Sequence, residues 1–562
     1  MFRHAVYYIK NNKQLLLLII PAFILHMIMM MPSGTEMCLA GRCGLHFWGI
    51  HSHDAMWHLQ LVATSFQSIP FEVPTFAGAT LSGYNILMDI VIYALSLVGV
   101  NPLITFFKII PLFWFVSLTL TGISFAQTFN KSLRFVFITL FLIYFAGHFG
   151  YILQLIQEGS IFRGSQSFSM QSMNALLNPQ FALTLPIILA QLIILKKQKF
   201  SARSTLHMSF LTFFSLGLKF YGGVVSVMIA GWYLLDFLIL KKNIKKTIIF
   251  SLVTALIAGA SIIIFYNPFA ASSSGSVFIF APFSIVHSMI EALNMFYLPN
   301  MVDARYYLYE QGWSMRLLGI ELFSTILYIF VNFGIRLLGI GYVCIQILRR
   351  RASRVEIYIL GTVILSFTLS VLFIQRGGWW NTIQFGYYSI FLSSILTAIA
   401  TYQISKKLGK WGVVFIFIVL LLSIPSSIRA VIEFVTPHTF MISHREMEAM
   451  EYLKTLPDGV VFTSFQARDE SQMDYINTGY VAAFTGKSLY LAQLGQLELI
   501  GIDASERIAL VESNDCRVFD AVEYIYYKKD QDETLWYTCN NPMNEIFKKV
   551  FENEEVIIFQ RT

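Results

Sequence analysis

GYNILMDIVIYALSLVGV, residues 83–100, is the stretch whose reading decides the topology. It is apolar enough to pass for a membrane span, yet counting it as one inverts the sidedness of every basic loop that follows. The clusters Arg3/Lys10/Lys13, 196–203 (KKQKFSAR), 241–246 (KKNIKK), 349–354 (RRRASR) and 406–410 (KKLGK) mark cytoplasmic loops, because Lys and Arg accumulate on that side. Apolar runs near 103–127, 133–153, 180–195, 205–218 and 220–240 alternate consistently with these clusters only if 83–100 does not cross. Its own pattern agrees. Asn85, Asp89, Tyr93 and Ser96 fall at i, i+4, i+8 and i+11, a polar stripe along one helical face. The expectation is a helix lying in the outer interface. The alternative, a true span followed by one atypical loop, stays open.

Working outward, the composition sets the class. Of 562 residues, 56% are hydrophobic and only 13% charged, too little polar surface for a soluble chain of this size. Several apolar runs exceed the ~18 residues that mark a span. The net charge of +7 is distributed in loop clusters, so it is no sign of nucleic-acid binding. The first run, 15–31, lacks a small-residue cleavage site after it and reads as a retained span. Runs near 246–266, 355–374, 383–402 and 411–430 continue the series. The run 315–348 is too long for one straight crossing, although parity demands one; part of it is expected at the interface, with Arg336 inside it.

The result is a polytopic α-helical membrane protein of about eleven spans, with the N-terminus cytoplasmic. The transmembrane domain is expected over 1–431, including a first outer loop with juxtamembrane helices at 32–102. Ordinary charge density and strand-like runs at 459–464, 521–527 and 555–561 then predict a C-terminal extracytoplasmic α/β domain, 432–562. Cys38 and Cys43 in the first outer loop, and Cys516 and Cys539 in that domain, form two local pairs on the oxidising side. Disulfides are expected there if geometry permits.

The chemistry gathers in the outer loops. In HSHDAMWHLQL, residues 51–61, Asp54 and His58 stand four apart at the start of an expected amphipathic helix, 54–68. Ala55, Leu59, Val62 and Phe66 form its apolar face. Asp54 suits a general base that takes a proton from an acceptor hydroxyl or amine, with His58 orienting it or binding an anionic leaving group. The bland alternative is that Asp54 only caps the helix. A metal at His51, His53 and His58 lacks a completing ligand cluster. Glu158 lies in the next outer loop, just past His148. Lys108, Lys219 and Arg376 are basic residues on the outer side, against the positive-inside trend; they suit a lipid-linked phosphate, or else snorkel to headgroups. Trp379, with Trp380, Tyr387 and Tyr388, suits an interfacial belt or a sugar-stacking platform.

HDAMWHL (53–59), SGYNILMDIVIYALSLVGVNP (82–102), GLKFYGG (217–223), GGWWNTIQFGYY (377–388) and VAAFTGKSLYLAQ (481–493), in this layout, resemble the GT-C class of polyprenyl-phosphate-sugar-dependent glycosyltransferases. The resemblance covers the whole chain in layout, and in residues only these stretches. It implies a sugar moved from a polyprenyl-phosphate donor to a cell-envelope glycan, lipid or protein acceptor at the outer face of the plasma (inner) membrane. It makes Asp54 the inverting base or acceptor-binding carboxylate and Glu158 the second acid. The chain departs from the class at position 54, where no paired DD or DE stands, so no resident cofactor is expected and a divalent metal has no clear ligand set. The rival expectations are a transporter or flippase of lipid-linked saccharide, and a non-catalytic scaffold presenting the C-terminal domain.

Overall fold

The computed structural model describes residues 2–39, 41–161, 169–197, 200–269, 278–293, 295–376, 378–435, 439–463, 479–529, 539 and 546–562. After an amphipathic helix, Phe2–Asn11, the chain bends by 96° into α1, Leu16–Ile28. A hairpin follows, β1 (Thr35–Leu39) and β2 (Arg42–Trp48). Two short helices come next, α2 (Asp54–Ala63) and α3 (Leu87–Ser96). The bundle proper contains α4 (Pro102–Phe129), α5 (Leu133–Phe145), α6 (Gly150–Glu158), α7 (Pro179–Lys197), α8 (Ala202–Leu218), α9 (Phe220–Lys241) and α10 (Ile244–Tyr266). It closes with α11 (Met315–Leu348), α12 (Arg354–Leu372), α13 (Ile383–Lys407), α14 (Trp411–Ser423) and α15 (Pro425–Val435).

Among the described residues, eight helices are long and apolar enough to cross a membrane, or up to ten if each bent pair is one span. The chain is a multi-pass membrane protein. The remaining expected crossing is α8, whose 17 residues pack against α7, α9 and α10. The decisive stretch is resolved by length. α3 has ten residues, about 15 Å of rise, half of a bilayer's hydrocarbon thickness, so it does not cross. Its stripe is turned inward: Asn85 and Asp89 are buried.

Breaks in the helices are met by side chains. α5 ends at Phe145 and turns by 54° into α6, which leaves the carbonyls of the linking residues without helical partners. Arg336 supplies them. It sits in a 3₁₀ turn, Gly334–Arg336, within α11, where Gly334 has φ +53°. Its guanidinium donates to Gly147 O at 2.6 Å, Gln171 Oε1 at 2.9 Å, Ser394 Oγ at 2.8 Å and Ala146 O. α11 is thus a single rod with one irregular turn. The arginine that looked anomalous in an apolar run ties it to the α5–α6 break. α13 is buried along nearly its whole length and forms the axis of the bundle.

The C-terminal part starts as an extension of the first loop. β3 (Thr439–Ser443) pairs antiparallel with β2, Leu45 opposite Ile442, to give the sheet β1–β2–β3. After α16 (His444–Thr455), a second sheet has the order β4–β5–β7–β6, from Val461–Thr463, Tyr524–Lys528, Val556–Arg561 and Phe547–Glu552. β4 and β5 run parallel; the other pairs are antiparallel. α17 (Tyr480–Thr485) packs on α2. Disulfides join Cys38 to Cys43 across the first hairpin and Cys516 to Cys539. The cover explains a departure from the amphipathic expectation: every residue of α2 from Ala55 to Val62 is buried, polar positions included, because protein lies on both sides of it.

Candidate functional site

α2 is capped by His53, which makes no side-chain capping bond; Asp54 is the first helical residue. Asp54 is therefore not the cap that the bland reading made it. Its carboxylate sits where the free N–H groups of a helix favour negative charge. His53 Nδ1 stands 3.0 Å from Asp54 Oδ1, and the Asp54 side chain keeps 31% of its surface exposed. Burial pushes its pKa up, but the hydrogen bond from His53 and the positive charge of His53, His58 and Lys219 outweigh that and hold it below the ordinary value. Asp54 is ionised and partly open, the state a base requires.

One turn on, His58 is buried. Its Nδ1 lies 3.0 Å from Asp89 Oδ1, the two side chains being 4% and 0% exposed. The Gln180 amide nitrogen lies 2.6 Å from His58 Nε2, and Tyr84 OH lies 3.4 Å from the same nitrogen. Burial raises the Asp89 pKa, while His58 and Lys219 pull it back. Three elements meet here: α2 brings His58, α3 brings Asp89 and the start of α7 brings Gln180.

Lys219 comes from a fourth. It is one extended residue between α8 and α9, with φ −158° and ψ 122°. It is only 7% exposed, and among the described residues its ammonium makes no hydrogen bond or ion pair. Burial lowers its pKa to about 8, against the pull of Asp54 and Asp89. The glycines after it explain the motif GLKFYGG. A Cβ on Gly222 would strike Tyr388 OH and lie 3.0 Å from Thr184, and one on Gly223 would strike Leu216. Only glycine lets α9 start this close to α7, α8 and α13, and from there the charge of Lys219 acts on both carboxylates. Trp57 meets Tyr84 edge to face at 5.7 Å, and the charge of Asp54 also reaches Tyr387.

Of the eight residues singled out in the sequence, the structure brings Asp54, His58 and Lys219 together. Lys108, in a π-turn at Thr105–Ile109, donates to Ser33 O at 3.2 Å, Thr35 Oγ1 at 2.8 Å and Met31 O, so its three donors serve the chain just after α1. His148 lies in the α5–α6 break, where its Nδ1 accepts from Gly150 N–H at 2.8 Å. Glu158 ends α6 fully exposed, without a hydrogen bond or ion pair among the described residues. Arg376 is exposed in the turn after the short strand Phe373–Gln375. Trp379 begins a 3₁₀ turn, and its side chain lies outside the described residues. Asp89, which the sequence placed only in the polar stripe of 83–100, is a further participant. Its signal was present: an acid inside an otherwise apolar stretch at a membrane is a functional candidate by default. Among the described residues no group of three His, Cys, Asp or Glu side chains is placed to hold a metal ion, and His51 is instead bonded to Ser33 Oγ at 2.8 Å.

No family model matches the chain, and no curated protein matches it. Solved structures do. The Archaeoglobus fulgidus oligosaccharyltransferase tethered to an acceptor peptide aligns at TM-score 0.52 and 13% identity, over 97% of this chain and 74% of that one. The archaeal oligosaccharyltransferase AglB from Archaeoglobus fulgidus, in complex with an inhibitory peptide and a dolichol-phosphate, aligns at 0.50 and 13%, over 92% and 70%. ArnT from Cupriavidus metallidurans bound to undecaprenyl phosphate aligns at 0.50 and 9%, over 98% of both chains. At such identities the likeness is one of fold. The fold is that of the GT-C class, as the sequence resemblance implied.

Proposed function

From a GT-C fold as premise, we propose that this chain is a membrane glycosyltransferase that moves a sugar from a polyprenyl-phosphate donor to an acceptor at the extracytoplasmic face of the plasma membrane. The observation that carries the reading is the pairing of Asp54, an ionised and partly open carboxylate, with Lys219, a buried ammonium without a partner among the described residues. A base and an unsatisfied cation side by side are what an inverting transfer from a phosphate requires. Support comes also from the neighbours, which include structures holding dolichol-phosphate and undecaprenyl phosphate.

In the proposed step an acceptor hydroxyl attacks the anomeric carbon, with inversion, as its proton passes to Asp54. The bond from that carbon to the phosphate oxygen breaks, and the electron pair leaves with the polyprenyl phosphate. Lys219 stabilises the charge that grows on the leaving oxygen. In a site shielded from water such a fixed cation is worth far more than in solution. The His58–Asp89 pair holds the α2–α3 junction and adds to the field around Asp54. The donor enters from the bilayer, and the acceptor is a cell-envelope glycan, lipid or protein. Glu158, Arg376 and Trp379 would contribute only at the rim.

The test is sugar transfer by the purified full-length protein with a panel of polyprenyl-phosphate hexoses and pentoses. Asp54→Asn is expected to abolish transfer while leaving donor binding intact, and Lys219→Met to raise the donor KM. Unchanged transfer by Asp54→Asn would overturn Asp54 as the base, and absence of transfer by the parent protein with every donor would leave the flippase and scaffold readings standing.

A further inference from the structure

A small, partly open pocket lies where α5 breaks into α6, facing the start of α15. It has a cavity volume of about 20 Å³ and is lined by His148, Gln171, Asn174, Ser426 and Arg429, among others. None of its lining residues belongs to the Asp54–Lys219 cluster.

The hydrogen bonding of the wall leaves donors over and uses up acceptors. His148 Nδ1 accepts from Gly150 N–H at 2.8 Å, so a neutral ring carries its proton on Nε2. Ser426 Oγ accepts from His148 N–H at 2.8 Å, and its own hydrogen finds no acceptor among the described residues. Asn174 Oδ1 accepts from Gln171 N–H at 2.7 Å, which leaves its amide NH₂. Gln171 Oε1 is taken by Arg336 at 2.9 Å.

Positive charge gathers at the same wall. Arg429 lines the pocket and Arg336 lies behind it, and both guanidiniums act electrostatically on His148. Arg336 is fully buried, and its guanidinium donates to carbonyls, an amide and a hydroxyl, with no carboxylate within ion-pair distance among the described residues. No Asp or Glu is among the lining residues described. Pro425 starts α15 here, so the positive end of an eleven-residue helix adds to the same field.

Donors converge from three segments of chain: the α5–α6 break, the 171–174 turn and the first turns of α15. Such a set suits a tetrahedral anion with three accepting oxygens better than a flat carboxylate with two. We propose that this pocket binds a phosphate group, as monoester, diester or inorganic phosphate, separately from the Lys219 position. The inference does not rest on glycosyl transfer and would survive its failure. The phosphate can come from a phospholipid headgroup or from solution, since the donor geometry serves both.

The experiment uses full-length protein in neutral detergent with Lys219→Met as background, which removes the other cation. Calorimetric titration with inorganic phosphate is expected to show one remaining equivalent, weakened tenfold or more by Arg429→Gln. Asn174→Leu, which keeps both arginines, is expected to weaken it several-fold and guards against a misfolded first variant; size-exclusion elution checks both. Added phosphatidylglycerol that displaces inorganic phosphate supports the site and identifies a lipid source; failure to displace it supports the site with a soluble source. Absence of binding in the Lys219→Met background, or binding indifferent to both pocket variants, overturns the proposal.

Discussion

A carboxylate kept ionised beside a buried ammonium is the smallest unit that explains the chemistry, and two predictions belong to it. Asp54→Asn removes the base without disturbing the cap, which is His53, so the folded protein should elute and melt as before. Its kcat for transfer should fall by about 10²–10⁴-fold, the usual contribution of a positioned base, read in a single-turnover assay. Lys219 sets a pH limit. With its pKa lowered to about 8 by burial, the ammonium is present below that pH and lost as pH rises through it. Donor KM should therefore rise above pH 8. Lys219→Arg, whose charge persists, should flatten that limb. The stability sign is opposite: a Lys whose folded pKa lies below the ordinary 10.5 costs stability while charged, and that cost is relieved as pH climbs from about 8 toward 10.5. Asp54 and His58 were legible from their four-residue spacing and Lys219 from its basic side chain on the outer side. Asp89 was legible only as part of a stripe, because its partner His58 comes from a different helix.

At the scale of elements, the irregular turns carry the information. α3 is short because the chain leaves the helix ahead of Gly99, at φ +87°, and its polar stripe faces protein because a buried carboxylate needs a partner. α11 bends its hydrogen bonding at Gly334–Arg336 so that one guanidinium can serve the broken end of α5. Arg336→Met should leave the carbonyls of Ala146 and Gly147 unpaired in an apolar interior. At about 1–3 kcal/mol for each orphaned group, the variant should melt several degrees lower in a detergent thermal scan. A melting point equal to the parent's would show that the α5–α6 break does not depend on this arginine. Lys108 follows the same logic: a cation near an outer interface, which looked free for a ligand, is held by the carbonyls just after α1.

At the scale of the molecule, the first loop and the C-terminal part form one structure. β3 completes the β1–β2 hairpin, and α17 closes over α2, so the helix that starts with Asp54 is clamped between the bundle and the appended domain. Ala482 in α17 is fully buried against this layer. Ala482→Phe should overpack it at a cost of about 1–3 kcal/mol. Because the strain falls on α2, kcat should drop while donor KM holds; a variant with lower melting temperature and unchanged kcat would show that the cover is not coupled to the site. The sequence by itself determined the membrane class, the run of apolar helices and the four-residue spacing of Asp54 and His58, and it pointed to 83–100 as the stretch that does not cross. These follow from local hydropathy, charge and helical period, which need no partner. Only the tertiary structure decided which charges meet. The roles of Asp89, Lys108, Lys219 and Arg336 depend on what faces them from segments far away in the chain, and a buried charge takes its function from its partner rather than from its neighbours in sequence.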